Sequence, residues 1–269
     1  MPGARRGMTA EPTLRGLRVL VTRPAGQAER LCRLIEAAGG TAVRLPAIEI
    51  LAPADMTRLA AVTASLASYD LAVFVSVNAV RKGLDYILDR GAWPENVLIA
   101  TVGASSAQAL EPYGLAVDLV PQHQFNSEAL LALDELQDMS GRRVVIFRGN
   151  GGREHLFDTL SARGAAVEYA EVYRRACPAV DAASLLHHWQ PGGLNVITIT
   201  SNETLQNLFD MAGSEGQPLL RRLPLVVVSR RQALLAEQLG FSQAVRVADN
   251  ASDEALLAAL QRFRAARDA

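Results

Sequence analysis

Small polar, glycine and arginine residues follow six apolar segments of the sequence, at positions where a strand would give way to a helix. Free backbone N–H groups and the positive end of the helix dipole make such helix starts suitable for carboxylates or phosphates. Ser and Asn are also ordinary N-caps, so capping alone explains any single loop. Together the six loops favour an anionic ligand, and the predicted binding residues are Arg23, Ser76-Val77-Asn78, Gly103-Ala104-Ser105-Ser106, Arg148-Gly149 with Gly151, Ser201-Asn202, and Ser229-Arg230.

The elements that must position these loops alternate between strand and helix. Residues 144–175 show the pattern most completely: a β-branched apolar run, a glycine-rich loop, a helix and a second extended run. Apolar strands separated by helices predict an α/β fold with parallel sheets covered on both faces. Ligands of such sheets bind at the carboxyl ends of the strands, which is where the six loops lie.

The succession of elements occurs twice. Aligning Gly40 with Gly164 gives an offset of 164 − 40 = 124, and aligning Gly114 with Gly240 gives 240 − 114 = 126. Two further matches, of serine-containing segments and of a Glu-Ala-Leu-Leu helix start, fall at 125 and 126 in the same order. Four ordered matches at nearly constant offset predict an internal duplication into two similar halves.

Composition excludes several classes of protein. A chain of 269 residues is long enough for two domains, and 27 basic against 28 acidic side chains provide no basic field for nucleic acid. No apolar run is long enough to span a bilayer, and residues 1–16 lack the apolar core of a secretory signal, so they are predicted to form a disordered tail. Cys32 and Cys177 lie in no paired motif, as expected in a reducing cytoplasm. We expect a cytoplasmic protein with no nucleic-acid or membrane partner.

Motifs for cofactor or metal chemistry are also missing. Gly149-Asn150-Gly151 begins like a dinucleotide fingerprint, but Glu154 stands where the third glycine belongs. The sequence contains no phosphate-loop Gly-Lys-Ser and no Gly-x-Ser-x-Gly elbow, and its four histidines lack the spacing of a metal pair. We therefore expect no cofactor and no metal, and if the protein is an enzyme, we expect it to use neither a metal nor a Ser-His-Asp triad.

Several motifs, in this order and spacing, resemble the uroporphyrinogen-III synthase family. They are Val-Thr-Arg-Pro at residues 21–24, Phe-Val-Ser-Val-Asn-Ala-Val at 74–80, Thr-Val-Gly-Ala-Ser-Ser-Ala-Gln-Ala-Leu at 101–110, and Val-Tyr-Arg-Arg at 172–175. The resemblance implies two swapped three-layer α/β/α lobes joined by a two-stranded connector. On this chain, lobe one would take residues 17–46 plus 177–269, lobe two residues 51–171, and the connectors residues 47–50 and 172–176.

The resemblance also implies a reaction and a partner. The substrate would be hydroxymethylbilane, a linear tetrapyrrole with eight carboxylates, closed with inversion of its last ring and loss of water. Tyr173 corresponds to the family's Val-Tyr position and is the expected catalytic residue, as a hydrogen-bond donor to the departing hydroxyl because a phenol is a weak acid at neutral pH. Arg148 and Arg23 could pair with carboxylates or remain solvated. Arg230 departs from other family members, and the family's usual state is a monomer.

Two other functions fit parts of the sequence. A non-enzymatic, two-lobed protein that binds a small anion would use the same loops, because a fold does not decide a function. A regulator with a receiver lobe would need an acidic cluster near a strand end, and neither half has one. The chemistry of the ligand separates these alternatives from the synthase, since a carrier returns its ligand unchanged.

Overall fold

The computed structural model of the chain describes residues 13–180, 185, 187 and 192–268. The chain divides into two compact units: the first runs to Glu49 and resumes at Ala176, and the second spans Ile50–Arg175. The strands are β1 (Arg18–Val21), β2 (Thr41–Arg44), β3 (Glu49–Leu51), β4 (Leu71–Phe74), β5 (Leu98–Thr101), β6 (Arg143–Gly149), β7 (Ala166–Ala176), β8 (Val196–Ile199), β9 (Leu225–Val227) and β10 (Val245–Val247).

The helices lie between these strands, except for Asp253–Asp268, which follows β10, and single 3-10 turns occur at Leu66–Ser68, Glu111–Tyr113 and Asp134–Leu136. The first six helices are α1 (Ala25–Ala37), α2 (Thr57–Ala64), α3 (Val77–Leu88), α4 (Ala104–Gln108), α5 (Ser127–Leu131) and α6 (His155–Ala162). Four further helices, named here by their ranges, are Asn202–Met211, Gly213–Leu220, Arg230–Gln238 and Asp253–Asp268.

The first unit is built on a five-stranded sheet in the order β10-β9-β8-β1-β2, with parallel pairing throughout. Side chains of β1 alternate between its faces: Val19 and Val21 pack with α1 and the helix Asp253–Asp268, and Leu20 packs with the helix Asn202–Met211. Helix α1 forms because its buried residues recur at helical spacing on one face. Helices therefore cover both faces of this sheet.

The second unit has its own five-stranded sheet, in the order β3-β7-β6-β4-β5. Its central strand β6 is buried along nearly its whole length. Phe74 and Phe147 stack with ring centroids 4.7 Å apart on the face covered by α2 and α3, whereas Val73 and Ile146 pack with α5 and α6 on the other face. The predicted α/β fold with parallel sheets is confirmed for these elements.

Strand pairing follows the same register in the two sheets. Val21 of β1 pairs with Arg44 of β2, a separation of 44 − 21 = 23 residues, and Phe147 of β6 pairs with Ala170 of β7, a separation of 170 − 147 = 23. The isolated parallel bridge from Ala100 to Leu119 lies next to β5, at the position that β10 holds next to β9. When that bridge is counted as a strand position, the strands β10, β9, β8, β1 and β2 of the first sheet correspond in order to Leu119, β5, β4, β6 and β7 of the second sheet.

The segment 172–176, predicted as a connector, forms the end of strand β7, and the boundary between the two units falls inside it, between Arg175 and Ala176. The predicted tail is too long: Leu14 is fully buried, and its N–H donates to the carbonyl of Ala38 at 2.9 Å. Residues 1–12 of that tail lie outside the described residues.

One helix had no clear signal in the sequence. Gly213–Leu220 contains glycines and Pro218, which are poor helix formers. The helix nevertheless buries Leu220 and Gly216 against the first unit's core. Tertiary packing overrides the local propensity here.

Candidate functional site

A cleft of about 290 Å³ opens at the carboxyl ends of β4, β6 and β7 in the second unit. The chain leaves β4 for β5 on one side and leaves β6 for β7 on the other, so the boundary between β4 and β6 is a topological switch point, where sheets of this class bind ligands. The cleft is lined by Val75, Ser76, Val102, Asn126, Ser127, Glu128, Ile146, Arg148, Gly149, Asn150, Gly151, Gly152, Arg153, Leu156, Tyr169, Tyr173 and Arg175.

Tyr173 owes its orientation to a β-bulge. The pairing of β6 with β7 runs regularly to Arg148 with Glu171 and then shifts, so that Gly149 pairs with Tyr173. The extra residue places Val172 and Tyr173 consecutively on the buried face, where a regular strand would alternate. The tyrosine is only 2% exposed, yet it lines the cleft and its hydroxyl lies 3.3 Å from Ser76 Oγ.

Gly149 provides the space for that ring. A Cβ atom at this position would lie 2.5 Å from Tyr173 Cε2 and 2.6 Å from Cζ, far inside normal contact. Glycine therefore permits the backbone of β6 to approach the ring directly. Gly149 is one of the predicted ligand-binding residues, and its immediate neighbour in the structure is the ring of Tyr173.

Asn150 forms hydrogen bonds with the backbone of β7 at two positions, Tyr173 and Arg175. Its backbone N–H donates to the carbonyl of Tyr173 at 3.0 Å, and its side-chain Oδ1 accepts from the N–H of Arg175, also at 3.0 Å. The side chain thus extends the hydrogen-bonding ladder past the end of β6. Asn150 fixes the backbone that carries Tyr173.

Arg148 is buried, with a side chain only 6% exposed. Its guanidinium lies over the ring of Tyr169 at 4.3 Å from the centroid, and its Nη1 donates to Glu154 Oε1 at 3.2 Å. Gly152, in a left-handed conformation with φ +116°, leaves room for the same guanidinium, because a Cβ there would lie 2.9 Å from Nη2. The lack of a side chain at Gly152 therefore allows the Arg148 guanidinium to pack against the loop.

Glu154 completes this group. Tyr169 donates its hydroxyl proton to Glu154 Oε2 at 2.6 Å. That hydrogen bond, followed by Arg148, lowers the pKa of the Glu154 carboxyl, while burial and the same hydrogen bond raise the pKa of Tyr169. Glu154 is therefore ionised and Tyr169 neutral at pH 7.

The other residues predicted in this unit follow neighbouring strands. Ser76 is the N-cap of α3 and accepts from the N–H of Ala79 at 3.1 Å, with Val77 and Asn78 in the helix's first turn. Gly103 caps the short helix α4, whose first turn holds Ala104, Ser105 and the buried Ser106. Of these residues, only Ser76 lines the cleft.

In the first unit, the predicted loops follow β1, β8 and β9, which are neighbours in its sheet. Ser201 and Ser229 are N-caps that accept from Thr204 at 3.0 Å and from Gln232 at 3.4 Å; Asn202 and the exposed Arg230 begin their helices. Arg23 forms an ion pair with Asp253 and donates to the carbonyl of Ala251 at 2.5 Å. Arg23 is thus held by its own unit, in contrast to a solvated arginine.

Comparisons with known proteins agree with this architecture. A sequence model described as "Uroporphyrinogen-III synthase HemD" matches residues 29–258. Uroporphyrinogen-III synthases from Salmonella typhimurium and Escherichia coli are each 38% identical over 245 residues, covering 90% of this chain and 99% of theirs. The chain belongs to the uroporphyrinogen-III synthase family. A crystal structure of a mutant uroporphyrinogen III synthase from Thermus thermophilus has the same fold, with a TM-score of 0.59, 20% identity and coverage of 94% of this chain and 99% of that one.

Several cleft residues of this uroporphyrinogen-III synthase family member had escaped the sequence analysis. Asn126 illustrates why: as the N-cap of α5 it accepts from Ala129 at 2.7 Å, a role that its neighbours Ser127 and Glu128 could have signalled. No named strand directly precedes α5, however, so the rule of searching strand ends did not reach it. The other lining residues that were not predicted are the polar and glycine residues Ser127, Glu128, Asn150, Gly152, Arg153, Tyr169 and Arg175 and the apolar residues Val75, Val102, Ile146 and Leu156.

Neither a metal site nor a membrane span is found in the part of the chain that the structure describes. Within those residues, no three His, Cys, Asp or Glu side chains come together as a metal would require. Over the same range, none of the helices combines the length and apolar character needed to cross a bilayer.

The family's named activity belongs to heme biosynthesis, and a small-molecule tetrapyrrole is its substrate.

Proposed function

We propose that the chain is a hydro-lyase that closes hydroxymethylbilane to uroporphyrinogen III, with inversion of the last ring and loss of water. Family membership carries this proposal: the relatives at 38% identity are matched over 99% of their length. The cleft at the switch point of the second unit supports it, because it gathers a phenol, a guanidinium and backbone N–H groups in one place.

In the proposed mechanism Tyr173 assists departure of the substrate hydroxyl. The electron-rich pyrrole expels that hydroxyl, so the protein needs to supply a hydrogen-bond donor and to hold the chain folded. Ser76 Oγ already accepts from Ala79 N–H and lies 3.3 Å from the tyrosine hydroxyl, which places two hydroxyls side by side at the cleft. Tyr173 acts there as a hydrogen-bond donor to the departing hydroxyl.

The carboxylates of the substrate require positive partners, and we propose two sets. In the second unit they are Ser76-Val77-Asn78 and Gly103-Ala104-Ser105-Ser106 at helix starts, with Arg148 and Gly149 at the end of β6 and Gly151 in the loop that follows it. In the first unit, the proposed carboxylate partners are the predicted residues Ser201-Asn202, Ser229-Arg230 and Arg23. Of these, Arg230 is exposed, whereas Arg23 would first have to leave Asp253.

We also propose that the two units descend from one duplicated α/β domain, with strands exchanged between the halves. The equal separation of 23 residues in the β1–β2 and β6–β7 pairs supports this origin. So does the pairing of Val19 with Val196 and of Val144 with Leu71, since 144 − 19 and 196 − 71 both equal 125. In this scheme 47–50 and 172–176 are the segments in which the chain passes between the units.

The deciding experiment is product analysis. Purified protein is mixed with freshly generated hydroxymethylbilane, the products are oxidised, and type I and type III uroporphyrins are separated. Spontaneous closure gives type I, so predominant type III without added metal or nucleotide is the expected result. Type I alone, from protein shown to be folded by circular dichroism, would refute the proposal and revive the anion-binding protein as the alternative.

A further inference from the structure

Arg148 and Tyr169 together form a receptor for a carboxylate. The guanidinium donates through Nη1 to one oxygen of Glu154, at 3.2 Å, and the phenol donates to the other, at 2.6 Å. A charged and a neutral donor on the two oxygens of one carboxylate make a strong and specific arrangement. The group that fills this receptor is a side chain of the same loop.

The two donors of the receptor line the cleft, and the carboxylate that fills it is the most exposed of the three side chains. Arg148 and Tyr169 line the cleft, and the guanidinium is held in place by Tyr169 beneath it and by its own Nε donating to the Gly149 carbonyl at 3.3 Å. The side chain of Glu154, by contrast, is 55% exposed and stands just before α6 begins. Rotation about its side-chain bonds would release the receptor without changing the backbone.

We propose that Glu154 occupies a subsite for one acetate or propionate carboxylate of the substrate and that the substrate displaces it. This inference rests on the proposed function, which supplies a substrate with many carboxylates. Glu154 keeps the buried guanidinium paired while the cleft is empty, which avoids the cost of an unpaired buried charge. Substrate binding then exchanges one carboxylate for another, and Glu154 turns to solvent.

An internal competitor has a signature that a structural residue lacks: its removal strengthens binding. Glu154→Ala should lower the KM for hydroxymethylbilane by roughly two- to fivefold, the effect expected from losing a partly exposed ion pair that competes for the site. The kcat should stay within about twofold, because the hydroxyl of Tyr173 is untouched. Glu154→Gln, which can still accept from Tyr169 without a charge, should give an intermediate KM.

Glu128→Ala is the matched control. Glu128 lines the cleft, is 53% exposed and is paired with the exposed Arg153 at 3.3 Å, so its removal also takes away one negative charge paired with an arginine of the cleft lining. Among the described residues, Glu128 forms no hydrogen bond or ion pair with Arg148 or Tyr169. A KM that falls equally in both variants would attribute the effect to general electrostatics, and a KM that rises in Glu154→Ala would make Glu154 purely structural.

A second readout needs no turnover. The Kd of uroporphyrin III, an octacarboxylate with its own fluorescence, is measured for the wild-type protein and the same variants. Tighter binding to Glu154→Ala than to Glu128→Ala is expected. If the wild-type protein forms no type III product but the variants show this order of Kd values, the proposed function fails and the subsite stands. If type III forms and neither KM nor Kd falls more in Glu154→Ala than in Glu128→Ala, the subsite is wrong.

Discussion

Gly149→Ala is the substitution that tests the placement of Tyr173 most directly. The new methyl carbon would lie 2.5 Å from Cε2, 2.6 Å from Cζ and 3.0 Å from the hydroxyl oxygen of the tyrosine. Carbon atoms in contact prefer separations of about 3.5–4.0 Å, so the ring has to move by about 1 Å. A catalytic group displaced by about 1 Å costs on the order of a hundredfold in rate.

The expected result is therefore a kcat about a hundredfold lower with a smaller change in KM. Forcing a methyl group into this packed contact should also lower the free energy of unfolding by about 1–3 kcal/mol. The assay is type III formation under saturating hydroxymethylbilane, together with urea unfolding. Gly91→Ala in the same unit is the control, because a Cβ there meets nothing within 4 Å and should leave both quantities unchanged.

A double variant isolates the tyrosine hydroxyl as the cause. If Gly149 acts through the position of that hydroxyl, adding Gly149→Ala to Tyr173→Phe should cost much less than a hundredfold, because the two changes remove the same interaction. A Gly149→Ala protein with wild-type kcat would refute the reasoning. The reasoning would also be refuted if the losses in kcat of the two single variants added fully in the double variant, because the effect of Gly149→Ala would then arise in a different part of the cleft.

The remaining predictions concern single contacts. Tyr173→Phe should lower kcat on the order of a hundredfold, as loss of one preorganised donor does, with a stability change of about 1 kcal/mol or less; an unchanged rate would shift the role to backbone dipoles. Ser76→Ala should lose the α3 N-cap, about 1 kcal/mol in urea unfolding, whereas Ser76→Thr should retain it. Asp253→Ala should destabilise the first unit by about 1.5–3 kcal/mol, because Arg23 loses its partly buried carboxylate partner, and Arg262→Ala, which removes an exposed pair with Asp249, should cost under about 1 kcal/mol. Burial and then the hydrogen bond to Asp85 raise the pKa of Tyr113 to about 12, above its ordinary 10. Because the folded state favours the protonated phenol, the contribution of Tyr113 to the free energy of unfolding is complete below pH 10 and is lost between pH 10 and about 12. Tyr113→Phe should lack that part of the alkaline loss of stability, and identical pH profiles for the two proteins would contradict the assignment.

Local signals in the sequence were sufficient for much of the fold. The apolar spacing of Ala28, Leu31, Cys32 and Ile35 determines the buried face of α1, because a helix with that spacing has only one apolar side. Runs such as Leu71–Phe74 could be assigned to buried parallel strands, because both of their faces are apolar. The carboxyl ends of those strands then located Ser76 and Arg148 at one edge of a sheet.

The arrangement inside the cleft depended on contacts between residues far apart in sequence. The bulge that turns Tyr173, the approach of Gly149 to its ring and the clamp by Asn150 arise from the pairing of β6 with β7. Nothing in the residues 148–151 by themselves distinguishes a ligand-binding glycine from one that makes room for a tyrosine. Likewise, Arg23 and Asp253 are 230 positions apart, and only the folded first unit brings them together.

The sequence by itself thus determined most of the element types, the parallel sheets and the family, because periodicity and motifs are properties of short stretches of chain. The tertiary structure decided which polar residues face the cleft and which bind each other, because side-chain partners are chosen by strand register and packing. Arg148 shows both levels: its position at the carboxyl end of β6 follows from the sequence, and its pairing with Glu154 over Tyr169 follows only from the fold.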